Sequence, residues 1–164
     1  MLNKILKFLG GNNPRAATTL VATPANLVEA DRIIAEGNRA EKAGDVNTAC
    51  ERYRRAVAIA PHYAKAHLNL GIGLEAIGNT EQAVQAFRSA LEFDPADPYA
   101  NYNLGRHLYS NGSAAQAEPL LRRAIESNPE FAEARVVLSR LLEDRNDLAA
   151  AAAELESVLR VRPE

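Results

Sequence analysis

The sequence predicts an all-α fold, a solenoid of four helix-turn-helix units with about eight helices, preceded by a short amphipathic helix. Composition and periodicity both predict it. The 164 residues include no Trp and only 5% aromatic residues, while the abundant Ala, Leu, Glu and Arg favour helices over strands. Half of the eight prolines lie 34 residues apart, and a fixed period of roughly 20 to 50 residues is typical of stacked repeats. These prolines are Pro61, Pro95, Pro129 and Pro163.

The N-terminal residues precede the repeats. Residues 1–10 are predicted to form a short amphipathic helix, because Lys4 and Lys7 share one stripe and apolar residues cover the rest. Residues 11–29, rich in small and polar residues with Gly and Pro, are predicted to form a flexible linker. A cationic, apolar helix on a tether is suited to contact a membrane surface, a partner helix or the repeats themselves, and otherwise to fray.

Each repeat carries the signals of two helices. A Gly or Asn suited to positive φ ends the first helix, and the next residue can cap the second helix with its side chain. These pairs are Gly44-Asp45, Gly78-Asn79, Gly112-Ser113 and Asn146-Asp147. The repeat-ending proline stops the second helix. We therefore expect one repeat domain over residues 30–163, with repeats at 30–63, 64–97, 98–131 and 132–163.

Two further columns of the repeat predict how the helices pack. Small residues on the first helix let the second helix approach closely, and large residues on the second helix fill the space. The small column holds Gly37, Gly71, Gly105 and Ser139. The large column holds Tyr53, Phe87, Leu121 and Leu155.

The second repeat shows the whole pattern, with Leu70-Gly71, then Ala83, Phe87, Ala90 and Pro95. This pattern resembles the tetratricopeptide repeat (TPR) family, over about residues 30–163, and is similar to the TPR regions of bacterial O-GlcNAc-transferase-like proteins. The resemblance implies a right-handed solenoid with a concave, protein-binding groove. In the column where the family favours a bulky aromatic residue, the chain has His67, Asn101 and Arg135.

Charge and motifs argue against several classes of function. The net charge of −2 offers no basic excess for nucleic acid, and the single cysteine, Cys50, builds neither an intrachain disulfide nor a multi-cysteine zinc site. The chain has no HExxH or CxxC motif, and Gly71-Ile72-Gly73 lies within a predicted helix without a preceding strand. We therefore expect no enzyme activity, no metal and no cofactor. We expect a cytoplasmic location, with peripheral membrane binding through residues 1–10 as an alternative.

The candidate binding surface is the stripe of each first helix that faces away from the packing contacts. In the first two repeats this stripe is predicted to hold Asp31, Ile34, Ala35 and Asn38, then Lys65, Leu68, Asn69 and Ile72. Tyr and Arg are enriched in interface hot spots, and Asn can donate and accept hydrogen bonds together. The predicted peptide-binding residues are Asn38, Lys65, Asn69, Tyr99, Tyr102, Asn103, Arg106, Tyr109 and Arg140.

Two binding modes known in the family match this stripe only in part. The dicarboxylate clamp for chaperone tails is matched by Asn38 and Asn69, but its three cations are replaced by Ile34, Tyr99 and Asn103. The asparagine ladder of O-GlcNAc transferases is matched by Asn69 and Asn103 and is interrupted by Ala35 and Val137.

The sequence thus predicts a non-catalytic scaffold that binds a peptide or helix of another protein in the concave groove. One alternative is the N-terminal, substrate-recruiting region of a larger enzyme such as a glycosyltransferase. Another is an envelope assembly factor tethered to a membrane by residues 1–10. The last helix carries more apolar residues than one neighbour covers, so we also expect either a longer parent chain or self-association through the last repeat or residues 1–10.

Overall fold

The computed structural model describes residues 23–161, which form eight α-helices and no strand. The helices pack in order along the chain, as four antiparallel pairs. Their bounds are α1 (Pro24–Lys42), α2 (Val46–Ile59), α3 (Ala64–Ala76), α4 (Thr80–Phe93), α5 (Pro98–Ser110), α6 (Ala114–Ser127), α7 (Ala132–Asp144) and α8 (Leu148–Val161). The all-α prediction is confirmed, and the predicted helix at residues 1–10 lies outside the described residues.

Helix α1 begins earlier than the sequence predicted. The linker was expected to extend to residue 29, but Thr23 caps the helix, its hydroxyl accepting from the Asn26 N–H at 3.2 Å. Pro24 occupies the first turn, where its fixed φ suits a helix and its missing N–H costs nothing. The proline interpreted as a linker residue is therefore a helix-start residue.

The turns within the repeats follow the predicted chemistry. Gly44, Gly78 and Gly112 have φ of 82°, 78° and 76°, and Asn146 has φ of 61°. The carboxylates of Asp45 and Asp147 accept from backbone N–H groups of the next helix at 3.1 and 3.2 Å. The helices after Asn79 and Ser113 also begin as predicted, although neither side chain makes a capping hydrogen bond.

The small and large columns meet in the core. A Cβ added to Gly37 or Gly71 would lie 2.5 Å from the ring of Tyr53 or Phe87, and both rings are 1% exposed. A Cβ on Gly105 would lie 3.1 Å from the Leu121 side chain. These contacts explain why the first helix of each of these repeats carries glycine here.

The three polar residues that replace an aromatic residue of the family pattern share one structural role. His67 Nε2 lies 2.7 Å from the carbonyl oxygen of Pro61, and the Asn101 amide donates to the carbonyl of Pro95 at 2.9 Å. The Arg135 guanidinium donates to the carbonyl of Pro129 at 3.0 Å, three residues before α7 begins. Each polar side chain thus satisfies the carbonyl of the proline that ended the previous repeat.

The last repeat leaves one face of α8 open, as the sequence predicted. Leu148, Leu155 and Leu159 are 61%, 37% and 70% exposed. Leu155 belongs to the column whose earlier members, Tyr53, Phe87 and Leu121, are buried. The prediction that Leu155 fills a core space is therefore wrong, because no described helix packs on this side of α8.

Candidate functional site

The candidate site is the groove between α5 and α7, which are the first helices of the third and fourth repeats. The two helices contact each other directly. At one end the Tyr102 and Phe131 rings have centroids 4.9 Å apart. At the other end the Tyr109 hydroxyl donates to Asp144 Oδ2 at 2.6 Å. The groove therefore follows the length of both helices.

One half of the groove holds an open cavity of about 480 Å³. Its walls combine valine side chains and tyrosine rings with two guanidinium groups. The cavity is lined by Tyr102, Arg106, Tyr109, Val136, Val137 and Arg140, and also by Ser110, Ala132, Glu133 and Val158. A cavity of this kind can bury an apolar side chain beside a charged one.

The other half of the groove holds a second cavity of about 500 Å³, with a different lining. Three aromatic rings, two amides and two carboxylates surround it: Tyr99, Tyr102, Phe131, Asn103, Asn128, Glu130 and Glu133. Tyr99 is 51% exposed although its ring contacts Phe131 at 5.2 Å between centroids. Its other face is therefore open to a ligand.

Arg106 ties the groove to the second repeat. Its terminal nitrogen donates to Glu75 Oε2 at 2.6 Å and, more weakly, to Asn103 Oδ1 at 3.4 Å. Its guanidinium carbon lies 5.7 Å from the centroid of the Tyr102 ring, within the range of a cation–π contact. These contacts hold Arg106 and Tyr102 in fixed positions, which lowers the entropy cost of binding.

The groove also shifts the pKa of one tyrosine, Tyr109. The hydrogen bond to Asp144 raises the pKa of Tyr109, and partial burial raises that pKa further. The positive charge of Arg140 acts in the opposite direction on the same pKa.

Five of the nine predicted residues line these cavities with side chains that are half-buried or exposed: Tyr99, Tyr102, Arg106, Tyr109 and Arg140. Asn103 also lines the second cavity, but it is 9% exposed and its amide donates to the Tyr99 carbonyl at 2.9 Å. Asn103 therefore borders the groove with little exposed surface, and its role in peptide binding stays a prediction.

The other three predicted residues lie outside both cavities and have partners within the repeats. Asn38 Oδ1 accepts from the Tyr53 hydroxyl at 2.8 Å. Lys65 forms an ion pair with Asp31 at 2.8 Å, which lowers the pKa of Asp31 and raises that of Lys65. The Asn69 amide donates to the Lys65 carbonyl at 2.7 Å. The structure does not bring these three residues together with the groove of the last two repeats.

Two residues placed on the open stripe are buried instead. Ile34 is 1% exposed and Leu68 is 8% exposed, each within an apolar core cluster. The stripe prediction failed here because each first helix is packed on more than one side, against its own partner and against the next repeat. A four-residue stripe at helical spacing is therefore wider than the surface that stays open.

Sequence reasoning did not include Phe131, the aromatic residue shared by both tyrosine contacts. A signal was present, because Phe131 lies 68 residues after Tyr63, two repeat periods, and each directly precedes a first helix. Among residues 23–161, no group of three or more His, Cys, Asp or Glu side chains is arranged to hold a metal ion. No helix within that range is long and apolar enough to cross a membrane.

The repeat geometry agrees with a family model. The model, described as tetratricopeptide repeat, matches residues 34–98 and 102–164. The chain belongs to the TPR family. No curated protein sequence matches the chain.

Solved TPR structures are similar over most of the chain. A crystal structure of MamA matches with a TM-score of 0.70 and 20% identity, over 97% of this chain and 83% of that one. The pilF protein of Pseudomonas aeruginosa matches with a TM-score of 0.74 and 25% identity, over 84% of this chain and 63% of that one. YrrB, a TPR protein with an unusual peptide-binding site, matches with a TM-score of 0.69 and 24% identity, over 80% and 68% of the two chains.

An enzyme also contains this fold. The O-GlcNAc transferase of Thermobaculum terrenum matches with a TM-score of 0.64 and 26% identity, over 74% of this chain. The match covers 23% of the transferase.

Proposed function

We propose that the chain is a non-catalytic scaffold that binds a peptide or helix of another protein in the groove between α5 and α7. The observation that carries this proposal is the open cavity of about 480 Å³, where valine side chains and tyrosine rings lie beside Arg106 and Arg140. Fixed aromatic and guanidinium groups around an apolar floor are typical of interface hot spots. The same fold holds a peptide-binding site in YrrB.

The proposal can be tested by capture of partners from the source cell with the tagged full-length chain. The groove variant combines Tyr99→Ala with Arg140→Ala, because both side chains are exposed and neither fills the core. The matched control combines Val28→Ala with Arg88→Ala, which also removes one exposed apolar side chain and one exposed guanidinium. We expect the wild type and the control to retain a partner that the groove variant loses. Equal capture by both variants would refute binding at this groove.

The second candidate is a substrate-recruiting region of a larger enzyme, favoured by the 26% identity with a TPR segment that forms 23% of an O-GlcNAc transferase. An antibody raised against residues 23–161 tests this in the source cell. A species far larger than 17.8 kDa that carries glycosyltransferase activity would support this candidate. A species near 17.8 kDa would contradict it.

Membrane tethering concerns residues 1–10 and stays a prediction, as does a cytoplasmic location. Co-sedimentation with anionic phospholipid vesicles, with and without residues 1–10, tests the tether. Loss of sedimentation on deletion would support it, whereas equal sedimentation of both forms would contradict it.

A further inference from the structure

We propose that the groove has two subsites of opposite charge and selects a peptide segment that carries one basic and one acidic side chain around an apolar residue. This inference rests on the proposed function and names the chemistry of the partner. The basic side chain would enter the cavity lined by Tyr99, Phe131 and Glu130. The acidic side chain would enter the cavity at Arg140.

The cation subsite combines aromatic faces with carboxylates. Tyr99 and Tyr102 contact Phe131 at centroid distances of 5.2 and 4.9 Å, so three rings form one wall. Glu130 lines this cavity and not the cavity at Arg140, whereas Glu133 lines both, and no basic side chain lines this cavity. Aromatic faces attract a guanidinium or an ammonium group, and carboxylates add charge complementarity. A lysine or arginine side chain is the ligand group that matches both.

The anion subsite lies farther along the groove, at Arg140. The positive charge of Arg106 in this cavity is already opposed by Glu75 at 2.6 Å. Arg140 is exposed and forms none of the salt bridges found among the described residues. A planar guanidinium beside an apolar wall can bind a carboxylate of the ligand while a neighbouring apolar side chain of the ligand is buried against that wall.

The two subsites have a defined separation. Glu133, which lines both cavities, lies seven residues before Arg140 on α7, or about 10.5 Å along the helix axis. Val136 and Val137 lie between them and face the first cavity. An extended peptide spans this distance in about three residues, and a helical ligand spans it in about seven. The spacing of the two charges in a ligand therefore reports its conformation.

A displayed library of random 12-residue peptides, selected on the full-length chain, tests the inference. Arg140→Glu and Glu130→Lys reverse one charge in each subsite, and Arg88→Glu and Glu92→Lys are matched controls on the exposed surface of α4. We expect the wild type and both controls to enrich an acid–base pair at one of these spacings. Arg140→Glu should lose the acidic preference alone, and Glu130→Lys should weaken the basic preference alone.

One selected peptide then gives the affinity by fluorescence anisotropy. Each reversal should weaken its binding by about three- to tenfold at low salt and less at high salt. Replacing the acidic residue of that peptide with lysine should restore binding to the Arg140→Glu variant and should weaken binding to the wild type. These results would support two subsites of opposite charge.

The outcomes separate this inference from the proposed function. Enriched peptides that lose binding to Tyr99→Ala but carry no charge pair would overturn the two subsites and leave the groove as a peptide site. A wild-type chain that enriches no peptide above Tyr99→Ala would overturn both.

Discussion

Substituting alanine for the glycine that contacts Phe87 tests the packing scheme at one atom. In Gly71→Ala the new Cβ would lie 2.5 Å from Cε1 and 2.6 Å from Cδ1 of Phe87. The ring is 1% exposed, so it has no free space into which to move. Overpacking of this kind costs up to about 3 kcal/mol, and the better helix propensity of Ala returns about 1 kcal/mol. We expect a net loss of about 2 kcal/mol in the free energy of unfolding.

Gly105→Ala is the internal control, because it occupies the same column of the next repeat. Its Cβ would meet Leu121 Cγ at 3.1 Å and Leu120 Cβ at 3.3 Å, contacts that shifts of a few tenths of an ångström relieve. The packing cost of about 1 kcal/mol then nearly cancels the gain in propensity of about 1 kcal/mol. We expect Gly105→Ala to change stability by less than about 0.5 kcal/mol.

Urea unfolding followed by circular dichroism at 222 nm measures both variants, with the slope of the transition compared because stacked repeats can unfold in parts. The pair should differ by about 2 kcal/mol at an unchanged slope. If Gly71→Ala were as stable as the wild type, or if Gly105→Ala lost as much, the close contact would not govern stability at this column.

Three further expectations follow from packing and charge. Ala83→Leu, at a residue that is 1% exposed between α3 and α4, should cost about 1 to 3 kcal/mol in urea unfolding, and an unchanged midpoint would contradict the packing of that pair. Hydrogen bonds from Arg122 and, to a smaller extent, Arg145 hold the pKa of Glu118 below its usual value. The ionised Glu118 carboxylate therefore stabilises the fold above the pKa of the unfolded state, and this stabilisation is lost as the pH falls through the pKa of the folded state. The urea midpoint of the wild type should therefore fall more than that of Glu118→Gln between about pH 5 and pH 3. Equal falls in the two midpoints would show that the interactions of Glu118 with Arg122 and Arg145 contribute nothing to stability. Light scattering of the wild type across a concentration series should show self-association through the open face of α8, which Leu155→Glu with Leu159→Glu should abolish; a wild type that stays monomeric at every concentration would contradict this.

The features that can be predicted best from the sequence are the turns and packing contacts that recur in every repeat. A turn with positive φ restricts its residue to Gly or Asn, so Gly44, Gly78, Gly112 and Asn146 can be read directly from the 34-residue period. The pairing of Gly71 with Phe87 is similarly visible, because a missing Cβ and a large ring must coincide in space.

The same reasoning was weaker where one side chain has several partners. Asn103 lines the groove, yet little of its surface is exposed, and its amide and oxygen already bond to the Tyr99 carbonyl and to Arg106. Leu68 occupies a position of the open stripe, yet it joins the core of its repeat. Helical periodicity gives the direction of a side chain from its own helix axis and carries no information on how many other helices reach it.

The position of the groove follows from residues that do not repeat. In the first two repeats Lys65 of α3 forms an ion pair with Asp31 of α1. In the last two repeats the equivalents of Lys65 and Asp31 are Glu133 and Tyr99, so this lysine–aspartate ion pair does not recur. The 34-residue period therefore identifies the scaffold, while the breaks in that period mark where the surface is open to a partner. This is why a scan for self-similarity predicts the fold and why the binding chemistry has to be sought in the columns where self-similarity fails.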